Sequence, residues 1–393
     1  MKTTAILKLL PSLATTVLFS AVCAQASEDA QARMRHVIDD AVRPVMERHG
    51  VPGVAVGVIV DGKHHFFNYG VASKESGQKV DEDTLFEIGS LSKTFTATLA
   101  AYAQETGALS LTDAASRHLP ELAGTRFDRI SLVELGTYAA GGLPLQVPDE
   151  VTDATLIDYY RNWQPEYEPG THRRYSNPSI GLFGHLTARS MDASFDVLME
   201  DKLLPMLGLT NTYINVPEDR MSRYAFGYNK EAQPVRVNPG IWDSEAYGVK
   251  TSASDLIRFL NTNMDGADLD PALRRAIAST HAGYYQVGGM IQGLGWEIYP
   301  HPTDLDRLLA GNSAKIMFKA NKVETFASPR SAQDGDLINK TGSTNGFGAY
   351  AAFLPAERAG VVILANRNYP VSDRISAGFE ILNALVRVQG SDQ

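Results

Sequence analysis

The stretch FEIGSLSKTFTATLA, residues 86–100, carries the reading of this chain. Leu91, Phe95, Leu99 and Tyr102 recur at helical spacing and mark one apolar face, so a buried helix is expected to open here. Ser90, Ser92 and Lys93 crowd its first turn. Ser90 and Lys93, three apart, share a helix face, whereas Ser92 points elsewhere. A serine hydroxyl is a weak nucleophile until something takes its proton. A lysine amine can do so if desolvation or a second cation holds it neutral. The helix start adds backbone N–H groups and a positive dipole end to meet developing negative charge. The same spacing recurs at Ser76-Gly-Gln-Lys79, but Gly77 and its polar neighbours read as a turn with no apolar helix behind it.

Two further motifs extend the pattern. Tyr-x-Asn occurs at Tyr160/Asn162, Tyr175/Asn177 and Tyr213/Asn215, and only the second runs into an apolar helical stretch, PSIGLFGHL. Tyr175 could act as a general base where cations lower its pKa, and Asn177 could orient the lysine and a substrate amide. Lys340-Thr341-Gly342 follows the strand-like DLIN. A glycine there lets a ligand lie against the strand edge. Lys340 supplies fixed positive charge, Thr341 a hydroxyl for a carboxylate, and the Ser343 N–H a second oxyanion donor beside that of Ser90.

The chain has 393 residues, 44% of them hydrophobic, enough for one large unit or two packed lobes. Lys2 and Lys8, a short apolar run broken by Pro11, and Ala24-Gln25-Ala26 read as a secretory signal peptide over residues 1–26, which implies a periplasmic protein. Its removal takes Cys23, the only cysteine, so neither disulfide nor thiol chemistry is expected. Losing Lys2 and Lys8 also takes the formal charge from −9 to −11. With no basic run, nucleic acid is excluded as a partner, and no later apolar run would span a membrane. His64 and His65 face opposite sides of a strand and the other histidines lack ligand spacing, so no metal or cofactor is expected.

VAVGVIV (residues 54–60), an Asp61-Gly62 turn and residues 65–71 predict an N-terminal hairpin. Residues 337–341, 348–354 and 360–365 predict C-terminal strands. A closing helix is expected over 372–387, capped by Ser372 or Asp373, with Ile375, Phe379, Leu382 and Leu385 on one face. The fold class is mixed α/β. Terminal strands from about 27–85 and 311–393 form one antiparallel sheet flanked by helices, and residues 86–310 form a mainly helical insertion. The whole makes a single catalytic unit over 27–393. The cleft between the two is the expected active site.

The order Ser-x-x-Lys, Tyr-Ser-Asn, Lys-Thr-Gly resembles the class C β-lactamases, the serine cephalosporinases, over essentially the whole mature chain. GGLPLQVPDEV (141–151), AYGVKTS (246–252), QGLGWE (292–297) and KTGSTNGFGAY…ILANRNYP (340–370) also carry the likeness. The resemblance implies a serine β-lactamase/DD-peptidase fold and a monomer that hydrolyses cephalosporins and penicillins, conferring antibiotic resistance. It makes Ser90 the acylated nucleophile, with Lys93 and Tyr175 sharing general acid/base work and Lys340 sustaining the network. The Ser90 and Ser343 N–H groups form the oxyanion hole. Gln146 and Asn177 contact the acylamino side chain, Tyr247 lines the wall, and Thr341, Gly342, Asn368 and Arg374 lie toward the substrate carboxylate. A D-Ala-D-Ala peptidase or esterase, or a penicillin sensor without turnover, are the alternatives on the same fold. Ala139, Trp242 and Val371 depart from the usual family residues; Val371 stands where an asparagine able to reach the carboxylate is common.

Overall fold

The run VAVGVIV is apolar on both faces because a layer of helices covers each side of it. A computed structural model describes residues 13–391, with side chains from 31 to 387. In strand β1 (Gly53–Val60), Val54, Val56 and Val58 pack toward the terminal helices α1 (Leu13–His49) and α6 (Val371–Ser391). Ala55 and Ile59, on the opposite face, join the core beneath helix α4 (Ala253–Met264). The first twelve residues of the expected signal segment 1–26 lie outside the described residues.

The expected Asp61-Gly62 turn is present. Both residues have positive φ, 49° and 75°, as a two-residue hairpin requires. It joins β1 to β2 (Lys63–Gly70). The main sheet then gains β3 (Gly283–Val287), β4 (Met290–Gln292), β5 (Glu297–Tyr299), β6 (Glu324–Arg330), β7 (Leu337–Ser343), β8 (Gly348–Leu354) and β9 (Ala359–Ala365). Its order is β6-β3-β4-β5-β7-β8-β9-β1-β2, antiparallel throughout. The N-terminal strand closes on the last one, Val54 opposite Ala365.

Two expectations differ from the structure in detail. β3 to β5 lie inside the stretch expected to be mainly helical. They are three to five residues long and separated by glycines, so no alternation could accumulate along them. The closing helix begins at Val371 directly after Pro370, which puts Ser372 and Asp373 inside its first turn; the Asp373 N–H donates to the Pro370 carbonyl at 3.2 Å.

Helix α2 (Ser92–Glu105) is buried nearly all round. It packs with α3 (Asn177–Ser190) and α5 (Pro271–Thr280), and Phe95 stacks on Phe259 of α4 with ring centres 4.2 Å apart. Its buried threonine hydroxyls are all paired: Thr94 donates to the Leu91 carbonyl and Thr98 to the Thr94 carbonyl, both at 2.8 Å, and Thr96 to the Glu245 carbonyl at 2.6 Å.

Candidate active site

Two glycines bring the halves of the site together. Gly89 has φ 51°, and a Cβ on it would sit 2.5 Å from the backbone of Ser343. A Cβ on Gly342 would sit 1.8 Å from the Ile88 carbonyl. Only bare backbone permits this approach of the turn Gly89–Leu91 to the end of β7, which places the Ser90 and Ser343 backbones side by side. Ser90 stands on this 3₁₀ turn just ahead of α2, half exposed to the cleft.

Lys93, in the first turn of α2, is fully buried. Its amine donates to Ser90 Oγ at 2.9 Å and to the Ala246 carbonyl at 2.7 Å. Ser92 turns away, and its Oγ accepts the Val249 N–H at 3.0 Å, which ties α2 to the segment beside it. Ser76 occupies an exposed turn in which its Oγ accepts from the Gln78 N–H.

Tyr175 immediately precedes α3. Ser176 caps that helix through the Ser179 N–H, and Pro178 occupies its first turn. The other two Tyr-x-Asn copies are spent elsewhere: the Tyr160 hydroxyl donates to the Pro178 carbonyl, and the Tyr213 hydroxyl to the Thr210 carbonyl. The Tyr175 ring lies 5.1 Å from the Lys93 amine and 5.2 Å from the Lys340 amine. Its hydroxyl has no hydrogen bond of ordinary length, although Ser90 stands near enough to influence it. Burial opposes ionisation of this phenol, but Lys340 and then Lys93 outweigh that and hold it below its ordinary pKa. Burial brings Lys93 down to about 8, with Lys340 adding to the fall and Tyr175 opposing it. Their protons therefore belong to the pair.

Lys340 behaves oppositely. Burial lowers it, but Glu297, 3.3 Å away, and then Tyr175 hold its pKa above the usual lysine value. Glu297 on β5 faces β7 and also lies 3.6 Å from Arg173. Arg173 is itself held by Gln292 Oε1 at 2.6 Å and the Ile316 carbonyl at 3.0 Å. Sequence reasoning assigned no role to Glu297, Arg173 or Gln292.

The cleft has a volume of about 830 Å³. Ser90, Gln146, Tyr175, Asn177, Tyr247, Thr341, Gly342, Ser343 and Asn368 line it. Asn177 Nδ2 donates to Gln146 Oε1 at 3.0 Å, while Asn177 Oδ1 is buried and unpartnered. Lys93 and Lys340 lie behind this surface. Arg374 is placed differently from the expectation that puts it at the substrate carboxylate. It is buried, does not line the cleft, and donates to Ser343 Oγ at 3.0 Å, Asn368 Oδ1 at 2.6 Å and the carbonyls of Gly342 and Tyr369. It braces the end of β7. Trp242, at φ 60°, does not line the cleft: Nε1 donates to the Tyr160 hydroxyl at 2.8 Å, and its Cβ fills the space beside Gly181.

A family model described as Beta-lactamase matches residues 38–385. The chain belongs to the β-lactamase family. A curated "Beta-lactamase" of Pseudomonas fluorescens is 55% identical over 354 residues, covering 90% of this chain and 99% of that one. A solved "Beta-Lactamase/D-Alanine Carboxypeptidase" from Pseudomonas syringae superposes with a TM-score of 0.88 at 50% identity, covering 89% of this chain and 98% of that one. A class C β-lactamase solved with cefoxitin gives a TM-score of 0.88 at 43% identity, covering 90% and 99%. Among the described residues no helix is long and apolar enough to cross a membrane.

Proposed function

We propose that this chain hydrolyses β-lactams through an acyl-enzyme on Ser90, as class C enzymes do. The observation that carries the proposal is the 2.9 Å contact from the Lys93 amine to Ser90 Oγ, at the floor of a cleft that also holds Tyr175 above two cations. Ser90 Oγ attacks the lactam carbonyl carbon as its proton passes to the Lys93–Tyr175 pair. Negative charge on the carbonyl oxygen is met by the Ser90 and Ser343 N–H groups. The C–N bond breaks, and the pair returns the proton to the departing nitrogen. Water, deprotonated by the same pair, then attacks the ester carbonyl, and Ser90 leaves with the proton restored. Lys340 keeps its charge throughout from behind the cleft surface, and its field favours the ring carboxylate that the Thr341 hydroxyl meets.

Ser90→Ala is expected to abolish both turnover of a chromogenic cephalosporin and the mass increase on incubation with a penicillin, whereas Ser92→Ala retains both. Labelled Ser90→Ala protein would remove Ser90 from the mechanism. The Pseudomonas syringae relative's double name favours a second reading, release of D-alanine from a D-Ala-D-Ala peptide by the same acylation. Comparing the two turnover rates in one preparation ranks the activities, and a single stoichiometric burst without cephalosporin turnover counts against hydrolysis. We also propose export to the periplasm with cleavage after Ala26. N-terminal sequencing of the periplasmic protein is expected to start at Ser27, and a protein retained in the cytoplasm with Met1 intact would contradict this.

A further inference from the structure

Of the residues that line the cleft, only Lys230 has a charged side chain. It is exposed, and among the described residues its amine has neither an ion pair nor a hydrogen bond. Three other cations near this end of the cleft are committed: Lys340 to Glu297, Arg374 to the end of β7, and Arg367 to the carbonyls of Gly50 and Lys230. Lys315 and Lys319 are exposed on and just after the helix that supplies Ala314 and Phe318, but they do not line the cleft.

The backbone carrying Lys230 is held in place. It lies in the turn of a hairpin that pairs Gly227–Tyr228 with Pro234–Val235. The Tyr228 N–H donates to the carbonyls of Gly346 at 3.2 Å and Asn366 at 3.0 Å. A Cβ on Gly346 would lie 2.6 Å from Val235 Cγ2, so hairpin and β7–β8 turn touch closely. Arg367 grips the Lys230 carbonyl at 3.1 Å. The lysine thus stands just past the end of β7, and the same segment continues to Val237 and Asn238 on the cleft wall.

A direction follows from the strand. A β-lactam laid along β7 with its ring carboxylate at Thr341 points its acylamino side chain toward Ser343, Thr344 and Asn345, and so toward Lys230. At the cleft mouth Val371 presents no polar atom. The chain carries a formal charge of −9, so the one charged side chain that lines the cleft favours a second anion there.

We infer that Lys230 is a specificity-determining residue that receives a carboxylate borne on the acylamino side chain of the β-lactam. This rests on Ser90 being the acylated residue. The test compares two penicillins that differ only by an α-carboxylate on a benzyl side chain, with the second-order rate of Ser90 acylation read by mass spectrometry. Lys230→Met is expected to slow acylation by the carboxylated compound about two- to five-fold, as for an exposed ion pair, and to leave the benzyl compound unchanged. Lys230→Glu is expected to act in the same direction and more strongly. Lys230→Arg restores the preference, and raising the salt concentration erodes it in the parent. An unchanged ratio between the two penicillins, or an equal loss for both, overturns the inference. Because acylation is read directly, loss of steady turnover alone counts against the hydrolysis proposal and not against Lys230.

Discussion

Lys93 and Lys340 are the same residue type, both buried, on opposite walls of one cleft, yet they are pushed in opposite directions. Lys93 on the helical side meets only neutral oxygens, Ser90 Oγ and the Ala246 carbonyl, and falls to about 8. Lys340 on the strand side meets Glu297 and rises. Equal burial, with a carboxylate in contact at Lys340 and a neighbouring cation beside Lys93, therefore produces one lysine that can accept a proton near neutrality and one that cannot. The first suits proton transfer and the second a standing charge.

The strongest challenge to this contrast is a pair of conservative swaps. An arginine keeps its charge at any working pH. Lys93→Arg is expected to lower kcat by about 10²–10⁴-fold, the range for losing general acid/base help, whereas Lys340→Arg keeps the standing charge and is expected to cost less. Similar losses from both would erase the distinction. Tyr175→Phe is expected to fall in the same range as Lys93→Arg, and unchanged turnover would remove Tyr175 from proton transfer.

Glu297→Gln probes the cause. It takes away the carboxylate that raises Lys340, so the Lys340 pKa falls. Loss of kcat/KM on the alkaline side should then set in at lower pH than in the parent, and an unmoved alkaline limb would show that Glu297 does not set this charge.

A third buried titratable group sits beside the Lys93 acceptor. Burial pushes the Glu245 carboxyl up to about 8 from its usual 4.5. Folding thus favours a proton that the unfolded chain releases above about 4.5. The stability this provides is complete below that value and is lost as pH rises through about 8. Glu245→Gln keeps a neutral group at every pH. The Tm of the parent is therefore expected to fall between pH 5 and pH 8 relative to that of the variant, and parallel Tm curves would refute the shift. Smallest is Trp242→Leu, which removes the bond to Tyr160 and the packing on Gly181. It is expected to cost about 1–3 kcal/mol in urea unfolding with kcat changed only a few-fold.

The terminal strands, the Asp61-Gly62 turn and the opening of α2 were legible because each shows a local signal: alternation, a turn dipeptide, helical spacing. Ser90, Lys93, Tyr175 and Lys340 were legible through the order of three motifs, and the structure brings those four together. Glu297 and Arg173 were not. Each gains its meaning from a partner far away in the chain, and Glu297 sits in a three-residue strand too short to announce a face. Arg374 entered through the resemblance alone; its bonds to Ser343, Asn368 and the carbonyls of Gly342 and Tyr369 depend on the closing helix meeting β7, which no local signal announces. Ser92 could be excluded as the partner of Lys93 by spacing, but its bond to Val249 depends on a segment that sequence alone does not bring near.

The pairing of β1 with β9 sets an order of assembly. Made from its N-terminus, the chain presents β1 with one edge covered by β2 and the other bare until Ala359–Ala365 has been delivered. Until then the sheet cannot be completed, and a bare apolar edge is exposed to other chains. A chain truncated before β9 is thus left with an open sheet and an uncovered row of valines, which marks it for aggregation or proteolysis rather than partial activity.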